Sequence, residues 1–288
     1  MRLDSTEAIA AYLLQHPGLT ELAVMTKAKK LPELPSSITR LAIYNSGQLE
    51  CLPYFHEGLL SLEIQDCDLS RVSTFPRLPG SLKGLRLDWW HQESLPELPP
   101  SLTELAVCGG NIVAFPILPA GLESFAAIAC HGVSQLPVWP KTLVSLTVRE
   151  CSGVTVIPAF PEALVNLVLF GNNEISAVPD FPATLTSLLV RQCYGVISLF
   201  AFPVALKTVA IIGLPGLTVV PDLPEALDSF TLESCPKVTR VPSLPPCLTY
   251  LWLEDNYKLA HIRGLPKSLV SLRILRCPRL KTRMGSLI

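Results

Sequence analysis

The segment Leu143–Cys151 reads LVSLTVREC, and the same pattern returns as LTSLLVRQC in Leu185–Cys193. The second leucine-type residue of each copy is an anchor that marks one repeat. Intervals between anchors run from 19 to 23 residues up to Phe125 and are 21 residues from there on. A nearly constant period in this range predicts a solenoid, because no repeat can bury its own apolar face and neighbours must stack. The thirteen anchors are Leu22, Leu41, Leu62, Leu85, Leu105, Phe125, Leu146, Leu167, Leu188, Val209, Phe230, Leu251 and Leu272.

The composition of the chain limits its function. Hydrophobic residues make up 49% of the 288 residues, charged residues 16%, and the formal net charge is -1. This balance predicts a large buried core and lacks the basic surface that nucleic acids and anionic membranes attract. The most apolar stretch, residues 197–220, contains Pro203, Lys207 and Pro215 and keeps the repeat register. We therefore expect one elongated domain with no nucleic-acid partner and no membrane span.

Each repeat joins a short strand to a proline-rich return segment. Leu167 and Leu169 alternate with Val168 and Phe170, which is typical of a strand with one buried face. The return segments carry paired prolines, as in LPELP at 95–99, and proline disfavours a regular helix. The predicted fold is a solenoid with short parallel strands on its concave face and an extended, polyproline-like convex side.

The first residues of the chain depart from the repeat pattern. Asp4 is followed three residues later by Glu7 and then by an apolar run, the pattern of a capping box before an amphipathic helix. We expect residues 1–16 to form a helix that caps the first repeat, residues 17–277 to hold about thirteen repeats of about 21 residues, and residues 278–288 to form a tail. Residues 1–16 also lack the basic start and unbroken apolar run of a Sec-type signal.

The segment LPELPPSLTELAV at 95–107 matches the motif L-P-x-L-P-x-x-L-x-x-L-x-[IVL]. This motif resembles the bacterial short-type leucine-rich repeat of the YopM and IpaH/SspH group of injected effectors, and the resemblance covers about residues 17–277. It implies a leucine-rich-repeat solenoid that a Gram-negative pathogen secretes by a non-Sec route into the host cytosol. There the repeats would bind host proteins as part of virulence.

One part of that group is absent from the sequence. IpaH/SspH members resemble repeats followed by a helical ubiquitin-ligase domain with a Cys-x-Asp nucleophile motif. No long segment follows Cys277 here, and none of the nine cysteines begins such a motif. A regular ribbon also lacks the deep pocket in which catalytic groups usually converge. We therefore expect a protein that is not an enzyme and has no catalytic residues.

A column of cysteines stands five residues after the anchors, where Asn172 and Asn256 occupy two repeats. We expect these small thiols to point inward, to donate weakly to carbonyls and to stay reduced, as in a host cytosol. No C-x-x-C or H-x-x-x-H spacing occurs, so we expect no metal and no cofactor. Cys108 is expected to face outward and to react first with a thiol reagent. The column contains Cys67, Cys130, Cys151, Cys193, Cys235 and Cys277.

Partner-binding residues are predicted one and three positions after the anchors, where side chains leave the outer face of the sheet. Apolar residues in these columns surround two arginines, and this composition is typical of interaction hot spots. The alternative is that a hydrophobic solenoid carries scattered apolar side chains on every face. The predicted patch consists of Ile128, Arg149, Val168, Phe170, Leu189, Arg191 and Ile212.

Two secondary partner-binding sites are predicted. Asp88 and Trp89 lie beside Trp90 and His91, just after the anchor that ends the 23-residue interval, where the tryptophans form either an exposed ledge or a filling for the longer repeat. Trp252 and Glu254 form the other secondary site.

The sequence as a whole predicts a monomeric protein-interaction module, a secreted bacterial effector that binds host protein through its concave face. The alternatives are the substrate-recruiting part of a ubiquitin-ligase effector and a self-associating structural repeat protein.

Overall fold

The computed structural model describes residues 4–72, 74–89 and 92–280. The chain divides into two compact units, Met1–Thr142 and Leu143–Ile288, and each unit has its own run of strands. Several residues of the predicted features lie outside the described part: the first three residues of the capping helix, Trp90, His91 and the tail from Lys281 onward.

The first unit begins with helix α1 (Thr6–Gln15) and continues with six strands that pair in parallel, each with the next along the chain. A single turn of 3-10 helix at Leu69–Arg71 follows the third strand. The strands are β1 (Glu21–Met25), β2 (Arg40–Tyr44), β3 (Ser61–Gln65), β4 (Gly84–Asp88), β5 (Glu104–Cys108) and β6 (Ser124–Ile128).

Helix α1 buries one apolar face, formed by Ile9 and Leu13. This burial agrees with the predicted capping role. The predicted capping box, however, is wrong in its first residue. Ser5, not Asp4, is the N-cap, because its side chain accepts a hydrogen bond of 3.1 Å from the Ala8 N–H. Asp4 stands one residue too early for that contact.

The second unit contains seven parallel strands, again paired in sequence order. Its anchors stack as predicted: Leu146 pairs with Leu167 and Leu167 with Leu188, and none of the three exposes more than 1% of its surface. The chain is thus a parallel β-solenoid with leucines in a buried row. The strands are β7 (Ser145–Arg149), β8 (Asn166–Phe170), β9 (Ser187–Arg191), β10 (Thr208–Ile212), β11 (Ser229–Glu233), β12 (Tyr250–Glu254) and β13 (Ser271–Leu275).

The return segments are extended in both units, and α1 is the only α-helix among the described residues. A tight turn leads back into each strand, as where the Leu164 N–H donates to the Pro161 carbonyl and the Leu185 N–H to the Pro182 carbonyl, both at 3.1 Å. Proline suits this turn because its φ is preset and it has no N–H to satisfy. The prolines therefore bring the chain back to the sheet without a helix.

A left-handed residue ends most of the strands. Nine residues other than glycine and three glycines that directly follow a strand have φ between 45° and 70°. This conformation turns the chain sharply, so the next side chain points inward. The non-glycine residues are Asn45, Asp66, Trp89, Ala129, Glu150, Gln192, Ser234, Asp255 and Arg276, and the glycines are Gly109, Gly171 and Gly213.

The inward column then binds backbone groups of its own and the preceding repeat. Asn172 donates from Nδ2 to the Val148 carbonyl at 2.8 Å and accepts from the Cys151 N–H at 2.9 Å. Cys193 replaces the amide with a thiol that contacts the Arg191 carbonyl at 3.4 Å. Burial raises the pKa of the Cys193 thiol and raises that of Cys235 to about 11. The predicted inward, weakly donating thiols are confirmed for the buried members of the column, whereas Cys277 is only half-buried.

Candidate functional site

The outer sheet face of the second unit holds a phenylalanine between two arginines. Phe170 ends β8, and its register partners at the ends of the flanking strands are Arg149 in β7 and Arg191 in β9. The guanidinium carbons of Arg149 and Arg191 lie 4.9 and 5.3 Å from the centroid of the Phe170 ring. Each arginine therefore makes a cation–π contact with the same ring.

Neither of these arginines has an ion pair with a carboxylate in the described part of the chain. Both side chains are exposed, so a partner can reach their N–H donors. A guanidinium presents several donors in a planar fork and binds carboxylates in a bidentate manner. Arg149 and Arg191 are thus held in place by Phe170 while their donors stay available to an acidic group.

The apolar residues predicted for this patch lie beside the arginines. Val168 pairs with Leu189 across β8 and β9, and Ile212 pairs with Arg191 across β9 and β10. All three are half-buried, so each offers only part of its side chain to a partner. Ile128 is half-buried at the end of β6, opposite Cys108, in the other unit. The arginine–phenylalanine patch is accordingly defined by six residues of the second unit: Arg149, Val168, Phe170, Leu189, Arg191 and Ile212.

The outer sheet face of the first unit carries a different arrangement, in which charges neutralise one another. Glu63 accepts a hydrogen bond of 2.8 Å from the Tyr44 hydroxyl and another from Gln65. Arg86 lies 3.5 Å from Glu63 through Nε and donates from Nη2 to Asp88 at 3.1 Å. Burial, followed by the hydrogen bond to Glu63, raises the pKa of Tyr44. This Glu63 network leaves little charge free for a partner.

The predicted site at Asp88 and Trp89 is divided between two roles. Asp88 is largely buried and belongs to the Glu63 network through Arg86. Trp89 is 57% exposed and takes the left-handed conformation after β4. A Cβ on Gly109 would lie 3.3 Å from Trp89 Cε3, so the indole covers the backbone of the next repeat. The indole thus fills space and keeps an exposed surface.

The predicted site at Trp252 and Glu254 is a closed ion-pair cluster. Trp252 donates from Nε1 to Glu254 at 2.7 Å, and Arg273 lies 4.3 Å above its ring. Arg276 contacts Glu254 and also donates to both oxygens of Asp255, at 2.6 and 2.8 Å. The hydrogen bond from Arg276 lowers the pKa of Asp255. Because Glu254 is buried and already paired, it is poorly placed to receive a cation from outside.

A groove that was not predicted from the sequence crosses the ends of β9 to β12. Its sheet side carries Arg191, Ile212 and Glu233, and its outer rim carries Tyr194 and Tyr257. The hollow has a volume of about 400 Å³. Glu233 and both tyrosines continue columns of the repeat, since they stand three and six residues after their anchors. That regular spacing was the signal that could have revealed them. The tyrosine-rimmed groove is lined by Arg191, Gln192, Tyr194, Ile212, Gly213, Pro215, Glu233, Ser234, Pro236, Asp255 and Tyr257.

The thiols outside the inward column differ in exposure. Cys51 and Cys247 are exposed, whereas Cys108 is half-buried. The expectation that Cys108 reacts first is therefore wrong on accessibility, because Cys108 ends β5 and lies against neighbouring strands. All nine cysteines are free thiols. The described residues contain no cluster of three or more His, Cys, Asp or Glu arranged to hold a metal ion.

Five-residue parallel strands, stacked leucine anchors and an inward column of asparagine and cysteine define a leucine-rich-repeat solenoid, as the sequence predicted. The chain is similar to YopM from Yersinia enterocolitica, with 25% identity and a TM-score of 0.68, over 88% of this chain and 55% of YopM. CroV588, a circular leucine-rich-repeat protein, matches with 20% identity and a TM-score of 0.55, over 89% of this chain and 47% of that one. A leucine-rich-repeat protein from Bacteroides ovatus gives 17% identity and a TM-score of 0.41, over 88% of this chain and 78% of that one.

The chain therefore spans about half the length of YopM and CroV588. No protein-family model matches the sequence, and no curated protein does. In the described residues, no helix is long and apolar enough to cross a membrane. The structural likeness supports the leucine-rich-repeat family, while membership of the injected-effector group stays a prediction.

Proposed function

We propose that this chain is a protein-interaction module and that the arginine–phenylalanine patch is its partner-binding surface. The observation that carries the proposal is the Phe170 ring between two guanidinium groups at 4.9 and 5.3 Å, neither paired with an acid in the described residues. Aromatic and arginine side chains dominate the binding energy of protein interfaces. The patch thus suits a partner that offers an acidic group beside an apolar one.

Binding at this surface requires no rearrangement of the backbone. Strands β7 to β10 each hydrogen-bond to their neighbours in register, which holds the columns at strand spacing. The two cation–π contacts also limit the freedom of Arg149 and Arg191 before a partner arrives. A preorganised surface loses less side-chain entropy on association. We infer that the chain acts by binding its partner through this preformed surface.

We further propose that the protein is a bacterial effector that reaches the host cytosol by a non-Sec route. Support comes from the repeat motif and from the likeness to YopM over 88% of this chain. The nine free thiols also suit a reducing compartment. A translocation test would fuse the chain to a cytosol-activated reporter enzyme in a bacterium with an injection system. Reporter activity in host cells, lost when the injection system is disabled, is the expected result; equal activity with and without it would contradict the proposal.

The binding surface is tested by affinity capture from host-cell lysate, quantified by mass spectrometry. The bait proteins are the unmodified chain, a Phe170→Ala, Arg191→Ala double variant, and a matched Val204→Ala, Arg240→Ala control on exposed residues outside the patch. We expect at least one protein to be captured by the unmodified chain and the control and lost with the double variant. Its affinity is then measured with purified partner. Equal recovery of every protein by all three baits would refute the assignment.

A further inference from the structure

The tyrosine-rimmed groove is built from three columns of the repeat that run side by side across the strands. Arg191, Ile212 and Glu233 form the sheet side, three residues after their anchors. The floor lies one residue further along the chain and includes Gly213, which has no side chain. The outer rim lies six residues after the anchors and consists of Tyr194, Pro215, Pro236 and Tyr257.

Opposite charges stand at a set distance along the sheet side of this groove. Arg191 and Glu233 lie on β9 and β11, so two strand spacings, about 10 Å, separate them. Neither has a charged partner in the described part of the chain. Ile212 lies between them as the register partner of both residues. The groove therefore presents the positive charge of Arg191, the apolar side chain of Ile212 and the negative charge of Glu233 in that order.

The rim of the groove indicates the backbone conformation of a ligand. Tyr194 and Tyr257 are each 52% exposed, with two prolines between them. Grooves lined by aromatic side chains bind polyproline II segments, which are already extended and lose little entropy. Such a segment has three residues per turn and rises about 3.1 Å per residue, so side chains three apart share one face about 9 Å apart. This spacing matches that of Arg191 and Glu233.

We propose that the tyrosine-rimmed groove binds a partner segment in the polyproline II conformation that carries an acidic and a basic side chain three residues apart. The acidic group pairs with Arg191, the basic group pairs with Glu233, and the residues between them pack over Ile212 and Gly213. The Tyr194 hydroxyl is placed to donate to a ligand carbonyl. This inference rests on the proposed function, because it takes the partner to be a protein, and it extends the binding surface beyond the arginine–phenylalanine patch.

The test is isothermal titration calorimetry of the full chain with acetyl-Pro-Pro-Glu-Pro-Pro-Lys-Pro-Pro-amide. Comparison peptides carry Glu and Lys two residues apart, two Glu, or two Lys in the same proline background. The protein variants are Glu233→Arg, Arg191→Glu and Tyr257→Ala, with Glu225→Arg as a matched charge reversal outside the groove. Far-ultraviolet circular dichroism and the thermal midpoint establish that every variant is folded.

We expect the unmodified chain to bind the first peptide with a Kd of about 1 mM or tighter and the closer-spaced peptide at least about tenfold more weakly. Glu233→Arg should lose about tenfold or more for the first peptide and come to prefer the peptide with two Glu, since like charges oppose binding. Arg191→Glu should instead prefer the peptide with two Lys. Tyr257→Ala should weaken binding of every peptide, and Glu225→Arg should leave binding unchanged.

Failure of this inference is distinguishable from failure of the proposed function. Phe170 lies outside the groove lining but stacks on Arg191, so Phe170→Ala should weaken the first peptide by less than about tenfold and keep its spacing preference, while it loses the lysate partner. No binding of the first peptide to the unmodified chain, or no change of preference in Glu233→Arg and Arg191→Glu, overturns the groove and leaves Phe170-dependent capture standing. Peptide binding without Phe170-dependent capture supports the groove and overturns the patch.

Discussion

The Glu63 network of the first unit and the arginine–phenylalanine patch of the second are built on the same repeat and treat charge on the sheet face in opposite ways. In the first unit, Glu63, Arg86 and Asp88 form a chain of ion pairs at 3.5 and 3.1 Å. In the patch, the guanidinium groups of Arg149 and Arg191 lie over the ring of Phe170 and form no ion pair within the described residues. The number of charged residues on a solenoid face therefore says little about binding. What matters is whether each charge already has its partner.

This difference arises from single residues in one column of the repeat. Three positions after the anchor stand Gln65 and Asp88 in the first unit, next to long side chains that can reach them. The same column reads Arg149, Phe170 and Arg191 in the second, where an aromatic ring separates like charges. The interior is alike in both units, so the outer columns vary without disturbing the stack. Function is therefore free to differ along one uniform scaffold.

The largest expected effect tests whether the interiors are equivalent. Leu62→Ala in the first unit and Leu167→Ala in the second should each lower the free energy of unfolding by about 2–5 kcal/mol, because each hollows the buried row. Both leucines are 1% exposed. Urea denaturation followed by circular dichroism measures the loss. A cost below about 1 kcal/mol at only one of them would show that the two interiors are not alike.

A smaller effect should distinguish the two faces. Glu63→Ala removes the acceptor for Tyr44 and a partner of Arg86, so it should cost about 1–2 kcal/mol of unfolding free energy. Glu233→Ala removes a carboxylate without a charged partner and should stay within about 0.5 kcal/mol of the unmodified chain. The same denaturation measurement applies. Equal losses of unfolding free energy at the two positions would contradict the contrast between the paired Glu63 and Glu233, which has no charged partner.

The titration of the Tyr44 hydroxyl with pH also tests the Glu63 network. Burial and the hydrogen bond to Glu63 raise the pKa of Tyr44 in the folded chain. Its stabilising contribution is therefore fully present below the unfolded value of about 10 and is lost as the pH rises through the folded-state pKa. Absorbance titration near the tyrosinate band should show two late tyrosines, because the hydrogen bond to Asp255 also raises the pKa of Tyr257, and Tyr44→Phe should remove one of them. Loss of a tyrosine that titrates near the ordinary value of about 10 in that variant, with both late tyrosines retained, would argue against the Glu63 network.

The smallest effect concerns thiol reactivity and leaves stability unchanged. Iodoacetamide at mildly alkaline pH should label Cys51 and Cys247 first, because both are exposed. Cys235 should be labelled last, since burial raises its pKa to about 11 and little thiolate forms. Peptide mapping by mass spectrometry gives the order. Early labelling of Cys235 in folded protein would indicate that the second unit opens locally.

The sequence determined the strands because a repeat supplies many copies of the same signal. Each strand starts one residue before its predicted anchor, and the stacked row at Leu146, Leu167 and Leu188 is as expected. Leu272 is the exception in exposure, at 44%, because it belongs to β13, which is paired on one side only. The repeat period and the alternation of apolar residues suffice to predict such backbone features, since every repeat packs in the same way.

The site was harder to predict because it depends on which side chains reach one another. The columns indicated that Arg149, Phe170 and Arg191 lie close together, but not that both guanidinium groups stack on one ring. Nor did they indicate that Glu254 is paired with Arg276 or that Glu233 is left without a charged partner. Ion-pair choice depends on rotamers and local burial, which a repeat consensus does not contain.

The left-handed residues after the strands make the chain amenable to thermostabilisation. A residue with a Cβ in this conformation carries roughly 1–2 kcal/mol of strain. Glycine carries no such strain, but its greater freedom in the unfolded chain lowers the stability of the fold by about 0.5–1 kcal/mol. Replacing Ala129 or Glu150, with φ of 52° and 53°, by glycine should therefore raise the melting temperature slightly. Neither position lines the groove or belongs to the patch. More thermostable variants of this scaffold can thus be engineered without altering its recognition surfaces.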